Sequence, residues 1–447
     1  MARLIGTGGT RSRLSIVWHD TAAGALAAQG MTLAERRLGR VTSWRLERIG
    51  MAGAGPEVVA ESATVEGLEG VPGATVPIAG FLGTWRATLG EDGVSAWLLQ
   101  GVLQAAAATA PVCRVVLSGP AAAVGTMAMR LAEAEPVARP ARSLAGEGYA
   151  VAGRMLPPGG NQRFQAGWSA DAACRRAAGF LVEAMHRELR RAGVQANEPV
   201  HQARVALRRL RAVLAVFGGA EAGRLRPGLR ELGAVLGPAR DWDVFCGSTL
   251  RRAAAMFEGD PALVRLGKAG ERRRVAAYAP LRAYLAGDGF RRLGVALAAF
   301  CVGSGPAGGD DPRLPAIRLH DLASRALSRR LGRLMKAGDH IGDLPEPALH
   351  AIRLQAKRLR YGAELFAPLF SQRSTTKFLR RLSRLQEQLG LLNDGAVAAG
   401  LMRELGAPGR GFGAGLVQGA ISARAAGARA EIARSWRKLR RAERFWT

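Results

Sequence analysis

Two patterns of hydrophobic and polar positions divide the chain near residue 155. Before it, short apolar segments alternate with Gly-rich breaks. Leu14–Trp18, Val41–Arg48, Val58–Val65, Thr84–Ala87 and Val112–Leu117 read as strands, and Ala121–Glu135 reads as a helix. From Ser169 onward the period is almost wholly that of helices. It predicts helices at 169–192, 198–218, 225–236, 240–258, 261–285, 288–302, 315–337, 346–370, 374–391, 394–405 and 415–442. Gly, Pro and Asp/Asn stand between most of them as stops and caps. The stretch MLPPGGNQRF at 155–164 marks a linker, and GSGPAGGDDPRLP at 303–315 divides the helical part. The predicted organisation is an α+β domain at 1–155, a linker at 156–167 and an all-α domain at 168–447, with halves at about 168–302 and 315–447.

One helix is written twice. HQARVALRRLRAVLAVF at 201–217 matches HAIRLQAKRLRYGAELF at 350–366 with a constant offset of 149. His201, Arg204, Arg208, Arg209, Arg211 and Phe217 correspond to His350, Arg353, Lys357, Arg358, Arg360 and Phe366. At about 100° per residue, His201, Arg204, Arg208 and Arg211 fall within an arc of about 80°. Ala203, Ala206, Leu207, Leu210, Val213, Leu214 and Phe217 take the other side. Each copy therefore docks by its apolar face and presents a ribbon of cations. LGPARDWDVF at 236–245 also matches LGLLNDGAVA at 389–398, with an offset of 153. Two helical bundles related by pseudo-symmetry are the expected architecture.

Charge sharpens the picture. The net charge is +28, of which residues 1–160 contribute only +2, from 14 Arg against 12 acids, and the remainder +26. Such a concentrated excess points to a polyanionic partner. The guanidinium fork suits phosphate oxygens, although a preference for Arg codons also accounts for Arg over Lys. Aromatics make up only 6% of the chain and seldom interleave with the Arg clusters, unlike the stacking platforms of single-strand nucleic-acid binders. A nucleic-acid-binding protein is the alternative, and nonspecific binding of nucleic acid at low salt is expected in either case. Neither His201 nor His350 has a carboxylate or second His at i+3 or i+4, so phosphate contact or a local hydrogen bond is expected of both rather than metal ligation or catalysis. Asp241 and Asp394 are expected to cap helices. Arg209 and Arg358, about 80° off the main arc, could bind phosphate or pair with acids. Further basic rows at helical spacing, Arg329 with Arg333 and Lys377 with Arg380 and Arg384, could extend the track or form a charged outer face. Cys113, Cys174, Cys246 and Cys301 are dispersed and read as reduced, mostly buried thiols. No secretory signal or membrane span is evident, so a cytoplasmic protein without a cofactor is expected.

The helical part resembles the CHAD domain, the conserved-histidine α-helical domain. The motifs that carry the resemblance are H-x-x-R-V-A-x-R-R-L-R, L-G-x-x-R-D-x-D, H-x-x-R-x-x-x-K-R-L-R-Y and L-Q-x-x-L-G-x-x-N-D, followed by the closing WRKLRRAERFW. The resemblance implies two four-helix bundles around a basic channel. It also implies binding of inorganic polyphosphate and association with polyphosphate granules. The first domain resembles a CYTH domain, a triphosphate tunnel fold, at Asp20, Thr21, Leu26, Gly30, Leu33, Arg36 and Arg37. Where that family carries an E-x-E-x-K strand, this chain has TRSRLSIVW, with neither Glu nor Lys. Metal-assisted phosphoanhydride hydrolysis needs several carboxylates. A degenerate, non-catalytic CYTH-like domain is therefore expected, with an active triphosphatase as the alternative.

Overall fold

The computed structural model describes residues 11–50, 55–89, 91–106, 108–156, 169–192, 197–217, 219–302 and 319–447. All but Leu156 of the expected linker at 156–167, and all of the divide at 303–315, lie outside these residues.

The first part is a seven-stranded sheet of order β4-β3-β2-β1-β5-β6-β7, antiparallel throughout. Its strands are β1 (Arg11–Asp20), β2 (Met31–Leu38), β3 (Val41–Arg48), β4 (Glu57–Ser62), β5 (Val76–Leu89), β6 (Ser95–Ala105) and β7 (Ala108–Ser118). Alternation along β1 puts Leu14, Ile16, Trp18 and Asp20 on one buried face. Leu14, Ile16 and Trp18 share a core there with Phe81, Leu99, Leu103 and Tyr149. Gly83 faces Gly101 across β5 and β6, and a Cβ on either would come within 2.8 Å of the other's Cα. Glycine at both positions is what permits this approach. Buried Asp20 accepts from the Leu26 and Ala27 amides at 2.9 and 3.0 Å and from the Tyr149 hydroxyl at 3.3 Å. It thereby holds the short helical turn Ala25–Ala28 to the end of β1. The helices α1 (Ala121–Ala134) and α2 (Leu144–Val151) follow the sheet.

Strands β2 and β6 were not expected. MTLAERRL and SAWLLQGVLQA are rich in residues that favour helices, and only their long antiparallel neighbours make them strands.

The helical part comprises α3 (Ala170–Ala192), α4 (Asn197–Phe217), α5 (Ala220–Val244), a π turn at Phe245–Leu250, α6 (Arg251–Met256), α7 (Pro261–Ala286), α8 (Asp288–Val302), α9 (Leu319–Ala337), α10 (Glu346–Phe366), α11 (Gln372–Glu404), α12 (Phe412–Ala425) and α13 (Ala428–Arg440). Several helix boundaries differ from expectation. Residues 225–236 and 240–244 are one helix that runs through Pro238, and residues 372–404 are one helix without a break near 392. Asp241 and Asp394 thus lie inside α5 and α11 and cap neither. The single helix expected at 415–442 instead bends at Ala426–Gly427, where Gly427 has φ +77°.

The chain packs as two compact units. One gathers the sheet, α1, α2, Arg175–Arg187 of α3, and α8. Within it, Arg291 of α8 donates to the carbonyls of Ala132, Glu135 and Val137 at 2.6, 2.8 and 3.0 Å, closing the C-terminal end of α1. The other unit holds the remaining helices. Its core joins both sequence halves: Trp242, Phe245, Leu263 and Leu266 share one cluster with Leu401, Met402, Ala414 and Val417. Arg381 similarly donates to the Lys438 and Arg441 carbonyls at the end of α13. Part of the arginine excess therefore closes helix ends rather than awaiting a partner. Among the described residues Cys113 is exposed, contrary to expectation, and Cys174 is buried. No described helix is long and apolar enough to cross a membrane.

Candidate functional site

The two copies of the basic helix, α4 and α10, meet. Their shared final phenylalanines, Phe217 and Phe366, lie against each other with ring centroids 5.8 Å apart. Buried Val200, Ala203, Leu207, Leu210 and Leu214 of α4, and Leu349, Ile352, Ala356 and Leu359 of α10, form the docking faces that the periodicity required.

The cations converge beside this contact. Lys357 is pushed down to about 8, first by burial and then by the charges of Arg353, Arg208 and Arg360, against a weaker opposing pull from Asp394. Arg208 belongs to α4 and the other three cations to α10, so both copies build one positive field. Burial also lowers Arg353, with Asp394 opposing and Arg208 reinforcing the shift. Buried Tyr361 lies at the junction. The Arg208 guanidinium sits 5.6 Å from its ring centroid, and that of Arg360 sits 5.6 Å away as well. The buried Nε atoms of Arg208 and Arg353 have no hydrogen-bond partner among the described residues. A buried donor left unmade costs about 1–3 kcal/mol.

Each copy is also backed by its following helix. In the first, burial lowers Arg204, with Asp241 of α5 opposing. Its Nη1 lies 3.4 Å from where a Gly237 Cβ would stand, so the guanidinium rests along α5. His201 is lowered by burial and then by Arg240. In the second copy, Asp394 plays the part of Asp241 toward Arg353 and Lys357. Asn393 stands where Arg240 does, and its Oδ1 is 2.7 Å from His350 Nδ1. The two aspartates are thus counter-charges within the ribbons.

Not every expected residue joins this group. Arg209 is exposed and pairs with Glu364 at 3.4 Å, and Glu364 also lies 3.3 Å from Arg360 Nε. Arg211 is exposed and leans toward α5, its Nη1 lying 3.4 Å from where a Gly233 Cβ would stand. Arg358 is exposed on the side of α10 facing α9, where Arg329 and Arg333 are exposed too. Lys377, Arg380 and Arg384 are exposed on α11, roughly half a turn around the helix from Asn393. No described interaction brings those three to the ribbons. One contributor was missed: Tyr361, legible only as the Y that closes the motif at 350–361. Among the described residues no group of three or more His, Cys, Asp and Glu is placed to hold a metal ion.

Comparison with known proteins bears on the helical region. The CHAD domain profile matches residues 176–403. The crystal structure of the CHAD domain from the plant Ricinus communis aligns with a TM-score of 0.54 at 28% identity, over 63% of this chain and 95% of that one. PptA from Streptomyces chartreusis aligns at 0.46 with 16% identity, over 60% of this chain and 99% of that one. No curated protein matches the chain.

Proposed function

The chain belongs to the CHAD family, which is associated with polyphosphate binding in general, and on that premise we propose that it binds inorganic polyphosphate through the paired ribbons of α4 and α10. One observation carries the reading: Arg208 of one copy and Arg353, Lys357 and Arg360 of the other converge beside the Phe217–Phe366 contact, where burial first and the neighbouring cations second push Lys357 down to about 8. In the free protein that field is a cost. A chain of phosphates relieves it by giving each cation an anionic acceptor, with charge-assisted hydrogen bonds and counterion release as the driving terms.

The protein acts in this reading as a binder, not an enzyme, and associates with polyphosphate granules. The sheet domain supports the first point. Glu61 is held by Arg45 at 2.8 Å, and buried Glu47 lies in the fields of Arg36 and Arg45, so both carboxylates already face guanidinium groups.

The test is calorimetry of the full chain with polyphosphate of defined length. Arg204→Glu combined with Arg353→Glu is expected to weaken binding about 100-fold or more, each replaced cation having supplied charge-assisted bonds worth about 1.5–3 kcal/mol. Wild-type affinity in that double variant, with unchanged helical circular dichroism, overturns the assignment.

A further inference from the structure

A second group of arginines lies apart from the ribbons, on the side of α10 that packs against α9. Arg330 of α9 is half-buried and donates through Nη1 to the Arg358 carbonyl of α10 at 3.1 Å. Gly362 makes room for it: a Cβ there would stand 2.5 Å from that nitrogen. A glycine inside a helix is unfavourable by propensity, so its presence here has a packing reason. Burial lowers Arg330, and the charges of Arg358, Arg329 and Arg333 act in the same sense with no carboxylate opposing them. The other three are exposed, and among the described residues none of the four is in an ion pair with an acid.

The first copy differs at two of these positions. Arg209, the counterpart of Arg358, is neutralised by Glu364 at 3.4 Å, and the counterpart of Gly362 is buried Val213. Pseudo-symmetry therefore does not explain the cluster, and three exposed guanidinium groups around a half-buried one have no acidic partner among the described residues.

We propose that Arg329, Arg330, Arg333 and Arg358 form a second anion site that takes a further stretch of the same phosphate polymer. The inference rests on the ribbons being the primary polyphosphate site. A chain long enough to reach both places gains from effective concentration, whereas a short chain occupies the ribbons alone. The arginine pair Arg329 and Arg333 is exposed, so charge reversal there leaves the fold intact.

The experiment compares tripolyphosphate with long-chain polyphosphate on the full-length protein. Arg329→Glu with Arg333→Glu is expected to lower long-chain affinity about tenfold and to make its salt dependence shallower, while tripolyphosphate affinity stays at the wild-type value. Arg265→Glu with Arg272→Glu on α7 imposes the same change in net charge and is expected to leave both affinities near wild type. Equal long-chain affinity in the two double variants overturns the second site. So does an equal loss for both ligands, which would place Arg329 and Arg333 in the primary site. Failure of the underlying reading looks different: wild-type protein then binds neither ligand, or Arg204→Glu with Arg353→Glu has no effect on either.

Discussion

The two copies of the basic helix share a motif but not an environment. In the first, Arg240 projects its charge at His201, and the Arg204 guanidinium rests along α5 over Gly237. In the second, the matching positions are Asn393, which hydrogen-bonds His350, and Gly390, which has no side-chain or backbone atom near its missing Cβ. The second copy alone carries a lysine in its ribbon, and it alone carries Tyr361, where the first has Ala212. The two similar cationic faces thus differ in that one alone brings the lysine and the aromatic to their meeting.

The largest test of that asymmetry is pH. Free Lys357 loses its charge as pH rises through about 8. A bound phosphate chain favours the charged form, so above that pH binding must take up a proton, and affinity falls as pH rises. Between pH 7 and 9 the loss for one such group approaches about tenfold. Lys357→Arg stays charged throughout and is expected to flatten the profile. A variant whose affinity falls as steeply as wild type would remove Lys357 from the site.

A smaller effect is expected at Tyr361. Tyr361→Phe keeps the ring between Arg208 and Arg360 and should bind as wild type does. Tyr361→Leu stays apolar but loses the ring's negative face, and should weaken polyphosphate binding about fivefold, the scale of a cation–π contact. Equal affinities in the two variants would reduce Tyr361 to packing.

The smallest is a shift without a large change in affinity. Burial is the main reason that His201 is held below the usual histidine value, and Arg240 is the next. Arg240→Asn makes the first copy resemble the second, and His201 should then titrate at a higher pH in the nuclear magnetic resonance spectrum. An unchanged His201 would mean that Arg240 points its charge elsewhere.

Most of the helical architecture is legible in the order of residues, because amphipathic helices announce themselves. Val200, Ala203, Leu207 and Leu210 could only be an inward face, and they are buried. The sheet domain is harder to read. Strand β6 is written in Ala, Leu, Val and Gln, and its identity depends on β5 and β7 lying on either side. Helix ends mislead for a similar reason: Gly237, Pro238 and Asp241 look like punctuation, yet α5 passes through all three because its packing outweighs the local preference.

From the residues alone came the paired basic faces, their apolar backs, the concentration of charge in the helical part and the family resemblance. All of these are periodic or compositional and survive without coordinates. What needed the fold was the placement of charges that are far apart in the chain. That Arg208 shares a field with Lys357, that Glu364 pairs with Arg209 while Arg358 has no acid partner among the described residues, and that Gly362 admits Arg330 are facts of distance between helices. Coulomb interactions and hydrogen bonds depend on ångströms through space, and separation along the chain does not encode them.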